Sequence, residues 1–142
     1  MQTRRASGTI RVVMRAAYKG NAIKVNGTYY CALFTDKNLT KRYTAAGVRR
    51  LTMTTSKVYA EATFENIPAG VYYVAETDKN GNPLKDNATF KVNNPEEGLH
   101  MDTSKDLIAE ITNDYVTEPA GAQAVSSSEL KNSYNAEYAG YG

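Results

Sequence analysis

Apolar and polar residues alternate with a period of two through most of the chain. Ile10, Val12 and Met14 interleave with Arg11, Val13 and Arg15, which gives a half-buried strand one apolar face and one partly basic face. Lys19-Gly20-Asn21 and Asn26-Gly27 are turn signals, so Tyr18 to Asn26 reads as turns. Thr28 to Thr35 is a second strand, rich in aromatics. Thr40 to Thr44 and Val48 to Thr54 read as two shorter strands around Ala46-Gly47. Lys57 to Phe64 sets Val58, Ala60, Ala62 and Phe64 against Tyr59, Glu61 and Thr63. Pro68-Ala69-Gly70 turns the chain into Val71 to Glu76, and Asp78 to Pro83 is a turn or hairpin loop. Ala88 to Val92 is a strand, Asn93 to Lys105 a polar loop, and Leu107 to Asn113 closes the series. Leu, Ala and Glu would permit a helix in that last segment, but the β-branched Ile108, Ile111 and Thr112 favour a strand.

About seven or eight short strands separated by Gly, Pro, Asn and Asp predict an all-β chain, a single antiparallel β-sandwich. The expected boundaries are an N-terminal arm over residues 1–7, the sandwich over 8–115 and a C-terminal extension over 116–142. After Tyr115 the composition shifts to Ala, Ser, Gly, Glu and Tyr. This stretch holds too little aliphatic surface to fold alone. A short helix around Ser127 to Asn132, capped by Ser127 or Ser128, fits the pattern. Order in the tail is expected to come from docking on a neighbouring copy. Tyr134, Tyr138 and Tyr141 would serve as anchors, and Ala122 to Val125 or Tyr134 to Tyr138 would lie along a sheet edge.

Composition narrows the function classes. The 142 residues are 42% hydrophobic and 23% charged, enough apolar mass for one core. Seventeen basic residues against 15 acidic ones leave +2, too balanced to point to nucleic acid or an anionic membrane. The single Cys and single His exclude an internal disulfide framework and the common Cys/His zinc sites. No apolar run approaches the ~20 residues of a membrane-spanning helix. Met1 to Arg5 is followed by an alternating segment rather than a signal-peptide apolar region, so either a trimmed precursor or another route is expected.

One stretch carries a resemblance. Phe64-Glu65-Asn66-Ile67-Pro68-Ala69-Gly70-Val71-Tyr72-Tyr73-Val74-Ala75-Glu76-Thr77 resembles the signature of Cna B-type domains and Gram-positive pilin isopeptide-linkage domains. Gly8 to Val12 and Ile111 to Tyr115 are similar to that family's first and last strands, so the likeness spans roughly residues 8–115. It implies a transthyretin-like or immunoglobulin-like sandwich used as a building block of surface fibres and adhesins. In such domains a Lys on the first strand is joined to an Asn or Asp on the last, with help from a Glu on a central strand. Burial lowers the amine's pKa and makes it nucleophilic, and it raises the carboxyl's pKa so that the acid can shuttle protons.

Carried over by position, Glu76 matches the assisting acid and Asn113 the acceptor. The nucleophile position falls on Met14, which shares an inward face with Ile10 and Val12. A thioether has no ionisable amine and fills the core instead. No Lys lies on the first predicted strand; Lys19 and Lys24 lie in the following loop, where a register shift could turn one inward, and Lys91 faces opposite Phe90 on a late strand. Without a nucleophile, Glu76 and Asn113 are expected to form a hydrogen-bonded polar pair in the core.

Other residues read as structural. Cys31 is a buried thiol and His100 a surface residue. Glu96, Glu97, Asp102 and Asp106 lack the spacing of a calcium loop. Asp78, Asn80, Asn82 and Asp86 fit a plain turn better than one. Arg4, Arg5, Arg11, Arg15, Lys19, Arg49 and Arg50 form a modest basic set, suited to acidic residues of another copy as well as to nucleic acid. No catalytic motif and no cofactor motif is present. The expectation is a non-enzymatic structural subunit of a surface or extracellular assembly that associates with copies of itself. The alternatives are a phage or virion decoration or fibre protein of the same fold, and an adhesin module with Tyr43, Tyr59 and Tyr73 as its contact surface.

Overall fold

The computed structural model describes residues 7–102 and 104–129. Strand β1 (Ser7–Tyr18) is the longest element and the hub of the first sheet. From Ser7 to Arg15 it pairs antiparallel with β5 (Tyr59–Pro68), and its last three residues pair with β2 (Asn21–Lys24) on the same side. Along its other side runs β9 (Asp106–Tyr115), parallel and in register from Thr9↔Asp106 to Tyr18↔Tyr115. This is the one parallel pairing among the described strands; every other pairing is antiparallel. β7 (Phe90–Asn93) adds to the far side of β9, and β10 (Gln123–Ala124) to β2. The second sheet has the order β4 (Val48–Met53), β3 (Gly27–Phe34), β6 (Gly70–Thr77), β8 (Leu99–Met101).

The core lies between the two sheets. Ile10, Val12, Met14, Phe64 and Ile111 from the first face Cys31, Leu33, Leu51, Tyr72 and Val74 from the second. The period-two pattern of β1 therefore holds on its inward side. Val13, on the other face, is also fully buried. It lies in register with Glu61 on β5 and Glu110 on β9, and the ion pairs Arg11–Glu61 and Arg15–Glu110 flank it. The methylene stems of the arginines can cover an apolar residue while their heads stay paired. A second, smaller cluster of Ala32, Phe34 and Ala75 sits on the outer face of the second sheet, with Leu39, Val48 and Tyr73 packed against it.

Turn chemistry follows the local residues. Lys19 and Gly20 both have positive φ, 51° and 80°, and make the two-residue β1–β2 hairpin whose twist suits flanking strands. A single residue, Ala69, separates β5 from β6, and Tyr72 Oη closes that corner by donating to the Pro68 carbonyl at 2.8 Å. Gly8 is required for close approach: a Cβ there would lie 2.1 Å from the Lys105 carbonyl oxygen.

Three expectations need correction. Thr40 to Thr44 is not a strand. The Asp36 carboxylate accepts from the Thr40 and Lys41 amides and the Thr40 hydroxyl, folding this segment into a turn that runs into a 3-10 helix at Thr44–Ala46. Only Phe34↔Arg42 remains as an isolated bridge. Tyr18 to Asn26 contains β2, and the loop after Asn93 contains β8. These two, with β10, bring the total to ten strands among the described residues.

The extension begins by returning to its own domain. Gln123 and Ala124 pair with Lys24 and Ile23 of β2, and Lys24 Nζ donates to Glu129 at 2.7 Å. Ser126 caps the helical turn that starts at residue 127: its Oγ accepts from the Glu129 amide, and Glu129 accepts from the Ser126 amide. The cap thus lies one residue before the first of the two serines expected. Tyr134, Tyr138 and Tyr141 lie outside the described residues, as do Arg4 and Arg5.

Cys31 is fully buried in β3. Burial pushes its thiol up from 9.0 to about 12, with the Arg49 guanidinium opposing and the Glu76 carboxyl adding to the rise. A thiol held protonated and covered reacts slowly. Native protein should therefore label slowly with iodoacetamide at pH 8 and rapidly in denaturant. Equal rates in the two states would place Cys31 at the surface.

Candidate functional site

Glu76, Asn113 and Met14 converge in the core. β6 points Tyr72, Val74 and Glu76 inward, β9 points Ala109, Ile111 and Asn113 inward, and β1 points Met14 between them. Because β1 and β9 run parallel with Met14 opposite Ile111, Met14 and Asn113 are diagonal neighbours on one face. Asn113 Nδ2 donates to Glu76 Oε2 at 3.2 Å and lies 4.0 Å from the Met14 sulfur. All three are at most 1% exposed. Around them sit Cys31, in register with Glu76, and Tyr115, whose hydroxyl meets that of Tyr29 at 2.5 Å.

The pair is incompletely satisfied. Glu76 Oε1 and Asn113 Oδ1 are buried and accept no hydrogen bond. An ionised carboxylate in that position would be costly, so the proton is retained. Burial pushes the Glu76 carboxyl up from 4.5 to about 7, against the smaller opposing effect of the Asn113 hydrogen bond. The Glu76 backbone is held separately: its amide donates to Asn94 Oδ1 at 2.9 Å. The sequence reading assigned Asn94 no role. Its one signal is its place before Pro95, where the chain leaves a strand and a side chain must replace a ladder partner.

What the cluster lacks is a nucleophile. Among the described residues every lysine but Lys24 is exposed, and Lys24 is committed to Glu129 outside the core. Lys19 lies over the Tyr18 ring and Lys91 is on an outer face of β7. The remaining candidates are structural as well. The Asp78 carboxylate accepts from the Asn80 and Asn82 amides and from the Asn82 side chain, which organises a turn. His100 is exposed on β8. The basic set is largely used within the chain: Arg11 and Arg15 are ion-paired, and Arg49 donates to the Thr63 and Ala46 carbonyls over the Phe64 ring. Tyr43, Tyr59 and Tyr73 are half-buried rather than a free surface, with Tyr43 packed edge-on against Tyr72. No helix among the described residues is long and apolar enough to cross a membrane.

No protein-family model matches the chain, and no curated protein matches it. Among solved structures it is similar to the pilus-presented adhesin Spy0125 (Cpa). A cysteine-to-alanine mutant of that adhesin aligns at 14% identity over 83% of this chain and 29% of that chain, with a TM-score of 0.37. A second structure of it aligns at 14% identity over 77% and 27%, with a TM-score of 0.34. The chain spans less than a third of the length of those structures. The two-sheet architecture is established by this chain's own strand pairing.

Two outcomes follow from the cluster. Between pH 4.5 and about 7 the folded chain holds a proton on Glu76 that the unfolded chain releases. Stability therefore falls as pH rises across that interval and levels off above it, by about 3 kcal/mol in all. Thermal unfolding between pH 4.5 and 8 should show this loss in the wild type and not in Glu76→Gln; parallel profiles would refute the assignment. The second outcome is covalent. A lysine at position 14 reaches two bonds beyond the present sulfur, towards the Asn113 amide carbon. Met14→Lys should then lose ~17 Da as ammonia leaves the new amide, while the wild type keeps its sequence mass. Met14→Lys/Glu76→Ala should not lose it, and a loss undiminished in the double variant would remove Glu76 from the chemistry.

Proposed function

We propose that the chain is a non-enzymatic structural subunit of a surface or extracellular assembly, a pilin-like building block that self-associates through its sandwich and tail. The observation that carries this reading is the Met14, Glu76 and Asn113 cluster. An acid and an amide sit buried within hydrogen-bonding distance in the positions the isopeptide resemblance assigns them, and a thioether fills the third position. The cluster has the acid and the carboxamide of a crosslinking site but no amine to join them. Its polar groups are sealed from solvent and so offer no access to a substrate. A domain of this kind serves by being packed and assembled rather than by turning over a ligand.

The tail supports the assembly half of the reading. Its first part already adds to a sheet edge, since β10 extends β2 by two residues and Glu129 grips Lys24. The contact is small, and Pro119 and Gly121 lie in the connection that leads to it. The same contacts made on β2 of a second copy would join two subunits without a new interface, by exchange of an identical element. A closed exchange gives a discrete oligomer and a head-to-tail exchange gives a fibre.

Sedimentation of the full chain should show concentration-dependent association. Deletion of residues 117–142 should leave a folded monomer, because the β1–β5, β1–β9 and β3–β6 ladders lie before the cut. A truncated chain that assembles to the same size would exclude the tail as the assembly element. A full chain that stays monomeric at every concentration would overturn self-association itself.

A further inference from the structure

The strand of the tail presents an unguarded backbone edge. Lys19 and Gly20 make a two-residue turn, so Tyr18↔Asn21 is a hydrogen-bonded pair. In an antiparallel pair, successive residues direct their N–H and C=O alternately towards one neighbour and then the other. Asn21 and Ile23 therefore bond to β1, while Ala22 and Lys24 face β10. Gln123, the register partner of Lys24, turns its groups to β2, and Ala124 turns its N–H and C=O outward. The Ala122 N–H, on the same outward side, folds back to the Pro119 carbonyl at 3.1 Å. No described strand or turn takes the Ala124 groups.

The far edge of the same sheet is treated differently. At β7 the Val92 N–H donates to Asp86 Oδ1 at 2.8 Å, and the Phe90 C=O accepts from the Asn87 N–H at 3.1 Å, so the chain caps its own edge. Edges left uncapped are ordinarily protected by charge, lysine above all. β10 has neither device. Gln123 and Ala124 are exposed, and Pro119 to Ser128 contains no charged residue. The approach is open: a trough of about 410 Å³ lies against Gln123, Ala124 and Val125, with Ala22 and Ile23 also in its lining. The one safeguard of this edge is its length, two residues between the bend at Gly121 and the helical turn that starts at residue 127.

We propose that β10 is the contact surface for β10 of a second copy, the two strands pairing antiparallel across a two-fold axis at Ala124. Each Ala124 N–H donates to the Ala124 C=O of the other copy, and the two six-stranded sheets become one. A strand without charge meets no repulsion from its own copy, and the Ala124 side chain is small enough for close approach at the axis. Gln123 of each copy lies opposite Val125 of the other. Both copies use the same patch, so the contact closes at two and cannot propagate. The interface rests on the self-association proposed above and gives it a surface that needs no exchange: each tail stays on its own β2.

The test uses the 15N-labelled full chain, diluted from about 2 mM to about 0.05 mM. The Ala124 and Val125 amides should shift saturably with concentration, with a Kd of about 0.1–1 mM, since two hydrogen bonds and a few side chains make a weak contact. Ala124→Lys sets two like charges against each other and should weaken association about tenfold. Its Ile23 and Lys24 amides should keep their wild-type shifts, because the Gln123 ladder and the Lys24–Glu129 pair are untouched. Ala124→Val reads the same contact in the opposite direction: it adds a β-branched cross-strand pair and should tighten association about threefold. Association that shifts other amides but not Ala124, or that keeps its full strength in Ala124→Lys, would overturn this interface and leave tail exchange standing. A chain with no concentration-dependent shift up to ~2 mM would overturn the interface together with self-association.

Discussion

The parallel register of β1 with β9 is the constraint on which this sandwich depends. It ties the first described strand to the last long one over ten residue pairs and leaves both with inward faces in phase. A parallel pair cannot be joined by a hairpin, so everything between must form a crossover. That crossover is the rest of the sandwich: β5 returns to pair with β1, and β3, β4, β6 and β8 make the second sheet. A shift of one residue between β1 and β9 would turn Asn113 out of the core and bring Asp114 in. The cluster at Met14, Glu76 and Asn113 is a consequence of this register.

Burial then determines the chemistry of the cluster. A carboxyl and an amide that share one hydrogen bond and leave two oxygens without partners are expensive to enclose. The neutral acid is the cheaper form, which is why Glu76 keeps its proton towards neutral pH. Met14 contributes a polarizable sulfur beside the amide, a weak acceptor where a charged amine would add a second buried ion. The arrangement tolerates its polar pair because the surrounding residues, Ile10, Val12, Phe64, Ile111 and Val74, are apolar and fully enclosed.

Legibility in the sequence followed element length. β1, β3, β5, β6 and β9 run eight to twelve residues, long enough for alternation to identify them and their inward faces. Alternation alone directs Glu76 and Asn113 inward, and the same count from Ile10 directs Met14 inward. β2, β8 and β10 have four, three and two residues, too few to display a period. Thr40 to Thr44 has the composition of a strand, but the Asp36 carboxylate gives its amides a nearer partner. The burial of Val13 was hidden because it depends on glutamates of strands 48 and 97 residues away in the chain. The early end of the β6–β8 ladder was equally hidden: it depends on where β8 stops relative to β6, which no local pattern records.

Edges are the remaining problem of an open sandwich, and the chain treats them unequally. The β2 edge is covered by the chain's own β10, with an ion pair at its end. The β4 side meets no further strand of its sheet, but Arg49 reaches from it to the Thr63 carbonyl of β5 and links the two sheets there. At the β6 edge Asn94 and Leu84 take the Glu76 groups, and Pro95 forbids the ladder from extending. A proline at an edge ordinarily blunts it against uncontrolled strand addition. Here the chain's own segment from Asn94 to Leu99 covers the interrupted ladder, and Val74 beneath it is 1% exposed.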